Sequence, residues 1–160
     1  MAVSVAIESP LQDEVRALVA ALNAYLLPLS PPEFQFKMTV EQMAGPDTTV
    51  FIARNDDGRA VGCGALRVHA DGLGEVKRMY TLPEVRGQRV GRALLDAIVG
   101  LARAKRLGIV MLETGGPDAM PEAKRLYTRY GFTPRGAFLD YPESPWSSFY
   151  EMRLDAGAAQ

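Results

Sequence analysis

One mixed α/β domain is the fold class this sequence predicts, and three observations predict it. Short apolar runs of strand character alternate with stretches whose apolar residues recur at helical spacing. No repeat, low-complexity tract or Ser/Gly linker interrupts the 160 residues. That length, at 48% hydrophobic, is enough to bury a core without staples. The domain is expected over residues 1–154, with residues 155–160 as a frayed tail.

The elements follow in order. Residues 3–7 read as a first strand. Ser9-Pro10-Leu11-Gln12 resembles a capping box with Pro10 at the first helical position. Leu11, Val15, Leu18, Val19, Leu22 and Leu26 then mark an amphipathic helix that Pro28 and Ser30-Pro31-Pro32 end. Thr39-Val40-Glu41-Gln42 caps a short second helix stopping near Gly45-Pro46. Residues 49–54, 60–68 and 74–81 form an antiparallel meander, with turns at Asn55-Asp56-Asp57-Gly58 and Asp71-Gly72. Val90, Ala93, Leu94, Ala97, Ile98 and Leu101 mark a long helix to about Lys105, broken by Gly108. Residues 109–112 are a buried strand, Pro121 opens a helix that Gly131 closes, and a strand pair from Phe132 ends with residues 148–154.

Composition excludes several classes of function. Eighteen basic and 19 acidic side chains leave a net charge of -1, with no excess of Lys and Arg for a nucleic-acid or membrane surface. One cysteine, Cys63, excludes an internal disulfide, and one histidine, His69, leaves zinc short of ligands, so no metal is expected. There is no G-x-S-x-G elbow for a serine hydrolase. The start lacks a basic n-region, and the apolar stretch at residues 18–29 is too short to span a bilayer. A cytoplasmic location is expected.

The segment that carries chemistry is Met79-Tyr80-Thr81-Leu82-Pro83-Glu84-Val85-Arg86-Gly87-Gln88-Arg89-Val90-Gly91-Arg92. A strand passes through a Gly-containing turn into a helix, whose first N–H groups lack intrahelical partners and sit at the positive end of its dipole. Gly87 and Gly91 allow close backbone approach, while Arg86, Arg89 and Arg92 add positive charge, so a pyrophosphate fits. There is no Gly-Lys-Ser/Thr ending for a P-loop, and a loop that follows a meander does not match a Rossmann fingerprint. The plain alternative is a solvated, Arg-rich helix start.

These residues resemble the coenzyme A-binding motif of the GNAT superfamily of N-acetyltransferases, R/Q-x-x-G-x-G/A, with Arg86 first and Gly91 as the last glycine. Ala123-Lys124-Arg125-Leu126-Tyr127 through Gly131-Phe132 resembles the family's A-x-x-L-Y-x-x-x-G-F block, so the likeness covers about residues 48–135. It implies a central mixed, mostly antiparallel sheet flanked by helices, with two splayed strands forming the coenzyme cleft. Arg89 replaces the usual middle glycine, which is workable with a helical φ, and Met120 stands where many members have an asparagine that contacts the coenzyme.

The resemblance implies acetyl transfer from acetyl-coenzyme A to a primary amine of a small molecule or peptide by direct attack. The alternative on the same fold is a non-catalytic acyl-coenzyme A binding or regulatory domain. Backbone groups of Met79 and Thr81, beside Tyr80, would hold the pantetheine arm, and the N–H groups of Gly87, Gln88, Arg89, Val90, Gly91 and Arg92 the pyrophosphate. Tyr127 matches the family's proton donor, and Glu113 and Glu75 compete as general base. Cys63 offers an acetylated-cysteine route, against the plainer role of a buried small residue. His69 reads as an exposed turn residue. Tyr25, Phe34 and Phe36, facing Phe138, Asp140, Tyr141 and Trp146, would build an aromatic acceptor pocket in which Asp140 pairs with an ammonium, unless these rings only close the core. A homodimer is compatible with the family.

Overall fold

The computed structural model describes residues 2–154, and the tail expected at residues 155–160 lies outside them. The strands are β1 (Ser4–Ile7), β2 (Thr48–Arg54), β3 (Ala60–Val68), β4 (Leu73–Thr81), β5 (Ile109–Gly115), β6 (Thr133–Arg135) and β7 (Ser147–Arg153). The helices are α1 (Asp13–Leu26), α2 (Val40–Met43), α3 (Val90–Ala104) and α4 (Pro121–Tyr130). All seven strands join one sheet in the order β1-β2-β3-β4-β5-β7-β6, antiparallel except for β4 against β5. This is the mixed, mostly antiparallel sheet expected.

Helices cover both faces. On one, α3 buries Leu94, Leu95 and Ile98 completely, together with Leu66, Val110, Leu112 and Phe132. On the other, Val15, Leu18, Val19 and Leu22 of α1 pack with Met43, Ile52, Cys63, Ala65 and Tyr80. Each large aliphatic side chain buried this way contributes roughly 1.5–3 kcal/mol. A third cluster, Met111, Phe138 and Phe149, lies under the loop before β7.

The parallel pairing of β4 with β5 runs only from Leu73↔Ile109 to Val76↔Leu112. Beyond it, β4 stays paired with β3 alone and β5 with β7 alone, so the two strands splay. The cleft that follows is the main functional consequence of the topology.

Local chemistry explains the element ends, in two places differently from expectation. The capping box at Thr39 and Gln42 forms as read. The one at Ser9 does not: α1 starts at Asp13, Ser9 Oγ accepts from Leu11 N at 3.1 Å, and the Gln12 side chain folds back onto Ser9 O at 2.8 Å. Pro10 is buried in this turn and Leu11 is left exposed, so both belong to the entry loop rather than to the helix. At the end of α3, Arg106 rather than Gly108 takes the left-handed position, at φ 59. Arg106 N bonds Arg103 O and Leu107 N bonds Ala102 O, a Schellman closure. Leu107 is buried in that closure, which accounts for an arginine in a position that favours glycine.

Candidate functional site

Two pockets open from the splay and meet. The larger, about 580 Å³, runs from β4 to the starts of α3 and α4. The smaller, about 110 Å³, lies between β4, β5, α1 and the loops before α2 and β7. Leu22, Met79, Met120 and Tyr127 line both, so Tyr127 stands at the junction.

The larger cleft gathers most of the residues singled out for coenzyme binding: Met79, Tyr80, Thr81, Arg86, Gly87, Arg89, Val90, Gly91 and Arg92. The first intrahelical bond of α3 runs from Ala93 N to Arg89 O, so the N–H groups of Val90, Gly91 and Arg92 are left to the cleft. Gln88 is the exception: its N–H bonds Val85 O at 3.2 Å and it does not line the cleft. The structure adds two arginines from α4, Arg125 and Arg129, and a single acid, Glu122. Five guanidinium groups against one carboxylate focus a positive field at a helix start, which suits a polyphosphate. Periodicity places Arg125 and Arg129 on a helix surface, but only the contact of α4 with α3 turns them to this cleft.

Three backbone details qualify the sequence reading. Arg89 sits at φ 63, in the left-handed region, so the right-handed helical φ expected there is not what the turn uses. A glycine is favoured at this position by the backbone itself. Gly91 is needed for packing, whatever the loop binds, since a Cβ there would meet Leu126 Cδ2 at 2.8 Å. Met120 also has positive φ, 53, a conformation that asparagine tolerates better than methionine. Its side chain still lines both pockets.

The smaller pocket holds the titratable groups. Glu113, on β5 where it has left β4, accepts a hydrogen bond from Ser147 Oγ at 2.7 Å. Burial pushes its carboxyl up to about 7, Glu75 adds to the rise, and the Ser147 hydroxyl and Lys77 oppose it. Glu75 is more deeply buried and fully engaged: His69 Nε2 lies 2.9 Å away, Lys77 Nζ 3.5 Å, and the Tyr141 hydroxyl donates to it. Lys77 also donates to the Tyr141 oxygen at 2.8 Å. His69 is therefore a partner of Glu75, not an exposed turn residue, because the turn at Asp71 and Gly72 folds it back over β4. Tyr127 is buried, and burial together with Glu113 holds its phenol protonated well above the usual range.

The acceptor residues divide. Phe34, Phe36, Tyr141 and Trp146 line the smaller pocket, with Phe36 and Tyr141 edge to face at 5.1 Å. Tyr25 lines the larger cleft instead, its ring 5.3 Å beneath the Arg86 guanidinium. Phe138 is core, packed on Phe149 at 5.7 Å. Asp140 is exposed and lines neither pocket, since the chain turns at Leu139 with φ 50 and carries it outward. The ammonium partner expected there is not in place. Cys63 is fully buried, its thiol pushed up to about 12 by burial, and it lines neither pocket, which removes the nucleophile reading.

Sequence reasoning missed Arg78, Lys77 and Gln35, all of which line the smaller pocket. A signal for the first two existed. Adjacent Lys77 and Arg78 inside an apolar strand oblige regular alternation to send one of them into the core, unless the strand bulges.

The sequence model described as the acetyltransferase (GNAT) domain matches residues 46–134. An IAA acetyltransferase of Azospirillum brasilense is 42% identical, over 95% of this chain and 98% of its own length. A solved structure from Klebsiella pneumoniae, described as an acyl-CoA N-acyltransferase, superposes with TM-score 0.80 at 35% identity, covering 95% of this chain and 97% of that one. The N-acetyltransferase PaiA of Thermoplasma acidophilum, solved in complex with coenzyme A, shares the fold at TM-score 0.73 and 15% identity, covering 96% and 100%.

Proposed function

The chain belongs to the GNAT family of acetyltransferases, and from that premise we propose that it transfers an acetyl group from acetyl-coenzyme A to a primary amine of a small molecule or peptide. The observation that carries this reading is the meeting of an arginine-rich cleft and a pocket of titratable groups at the Tyr127 side chain. We read residues 1–154 as one acetyltransferase domain.

The roles follow from the chemistry of each position. The free N–H groups at the start of α3, with Arg86, Arg89 and Arg92, hold the coenzyme pyrophosphate. The unpaired edge of β4 at Met79 and Thr81 holds the pantetheine arm and leads the thioester toward Tyr127. The acceptor enters the smaller pocket as an ammonium, and Glu113 takes its proton. A carboxyl that titrates at about 7 is matched to that task near neutral pH, whereas Glu75 is occupied by His69, Lys77 and Tyr141. The freed amine forms the new C–N bond as the C–S bond breaks; the protonated Tyr127 gives its proton to the departing thiolate, and the second proton that the nitrogen sheds on becoming an amide restores the phenol.

The test is acetyl-coenzyme A-dependent thiol release against amino acids, small amines and N-terminal peptides, with Tyr127→Phe alongside. Acceptor-dependent release that falls about 100-fold in the variant, with coenzyme affinity within about twofold, is the expected result. Full turnover in Tyr127→Phe would remove it as the donor. No release with any acceptor would leave a coenzyme-binding domain.

A further inference from the structure

The smaller pocket has a charge the proposed reaction does not use. Arg78 is only 8% exposed and lines this pocket. One of its nitrogens, Nη2, donates to Asn23 Oδ1 of α1, and its Nε has no partner. Among the described residues no carboxylate forms an ion pair with it. A buried guanidinium with only a neutral amide beside it is costly, and an anionic ligand would relieve that cost.

The backbone shows how Arg78 comes to be there. Between Cys63↔Tyr80 and Ala65↔Lys77 the register of β3 on β4 shifts, so Arg78 and Met79 together face the single residue Gly64. Arg78 occupies the left-handed region at φ 55, where a non-glycine residue is strained. The bulge resets alternation along the strand. Val76 and Met79 pack with the α3 side, while Lys77 reaches Phe36 O and Arg78 reaches Asn23, both on the α1 side. Without the bulge, Arg78 would follow Val76 into the apolar core against α3. Strain held at one residue thus places a second cation in the pocket.

A second observation points the same way. Among the described residues the buried side-chain polar atoms without a partner are Arg78 Nε and Gln35 Oε1, and both residues line this pocket. The amide of Gln35 spends its N–H groups on the carbonyls of Leu26, Leu27 and Ser30, leaving an oxygen that calls for a donor. Within the pocket, therefore, Arg78 lacks an anionic partner and Gln35 Oε1 lacks a donor.

We propose that Arg78 is a carboxylate-binding residue and that the acceptor is an amino acid, or a molecule of that chemistry, carrying a carboxylate beside its primary amine. This rests on the acetyl-transfer reading and narrows its substrate class. A pocket of about 110 Å³ suits an acceptor of this size better than a folded peptide segment.

The experiment compares matched acceptors on the wild-type protein: phenylalanine against 2-phenylethylamine, methionine against 3-(methylthio)propylamine, and each amino acid against its primary amide. The free acids are expected to have kcat/KM about 30-fold above their partners, the scale of one charge-assisted bond to a buried cation. Arg78→Met, which keeps the volume and removes the charge, is expected to collapse that ratio toward one, chiefly through KM. Equal turnover of acids and carboxyl-free amines, or a ratio that survives Arg78→Met, would overturn the carboxylate assignment and leave acetyl transfer standing. Coenzyme binding without acetylation of any matched acceptor would count against both. The wild-type comparison decides the substrate class even if the variant does not fold.

Discussion

The two pockets that share Tyr127 are built on different principles. The cleft proposed for the coenzyme is made chiefly by one continuous stretch, the end of β4 through the first turn of α3, and it offers backbone N–H groups and exposed arginines. The acceptor pocket draws on α1, the loop after it, β4, β5, α4 and the loop before β7, and it works through buried side chains held by one another. Backbone donors at a helix start tolerate exchange of neighbouring side chains. A buried set such as Glu75, Lys77, Tyr141 and His69 does not, since removal of one partner strands the others. The first region can thus serve a common donor, while the second is free to specify an acceptor.

The largest expected effect that tests this division is at Gly91. Gly91→Asp puts a carboxylate at the anion site and a Cβ against Leu126, and should weaken coenzyme A binding about 100-fold by titration calorimetry. Unchanged affinity would break the assignment of the larger cleft.

Glu113→Gln addresses the other pocket. It should lower kcat/KM by about 100-fold and abolish the rise in rate expected of the wild-type protein as pH passes upward through about 7. Coenzyme affinity should not move. Stability supplies an independent check on the same group. Its folded pKa lies above the ordinary 4.5, so stability linked to the bound proton is full below that value and is lost as pH rises through about 7. The glutamine variant should therefore melt higher than wild type at pH 8, by about 1 kcal/mol in stability, and equally at pH 4. A variant less stable at pH 8 would show that the Ser147 hydrogen bond outweighs burial.

The smallest effect sharpens the comparison from the coenzyme side. Arg89→Gly relieves a left-handed arginine and should stabilise the fold by about 1 kcal/mol, some 3 °C in melting temperature. The lost charge should weaken coenzyme binding about threefold at low salt and less at high salt. A fall in melting temperature would mean that the guanidinium, rather than the turn, sets the choice of residue.

Much of this was legible in the residues. The strand–turn–helix of the coenzyme loop, the Leu126-Tyr127 block closed by Gly131-Phe132, and the Thr39 capping box are local patterns, and each element formed where its pattern lies. Glu113 was legible as a candidate from its position at a strand end. What escaped were local rules overridden by tertiary context. Arg106 and Arg89 hold left-handed turns that propensity assigns to glycine, and Ser9 makes a turn rather than a cap. Asp140 showed the opposite failure: a carboxylate among aromatic residues looked like a binding group, yet the turn at Leu139 sends it to solvent.

Periodicity and short motifs determined the sheet-and-helix content, the meander, the glycine-containing turn into α3 and the family, because each depends on residues close along the chain. The splay of β4 from β5, the different surroundings of Glu113 and Glu75 and the delivery of Arg78 to the smaller pocket belong to the assembled sheet. Each depends on a register or on burial among residues far apart in the chain. A single shifted pair between Cys63 and Ala65 decides which face receives a buried cation, and no local preference of arginine or of glycine encodes that choice.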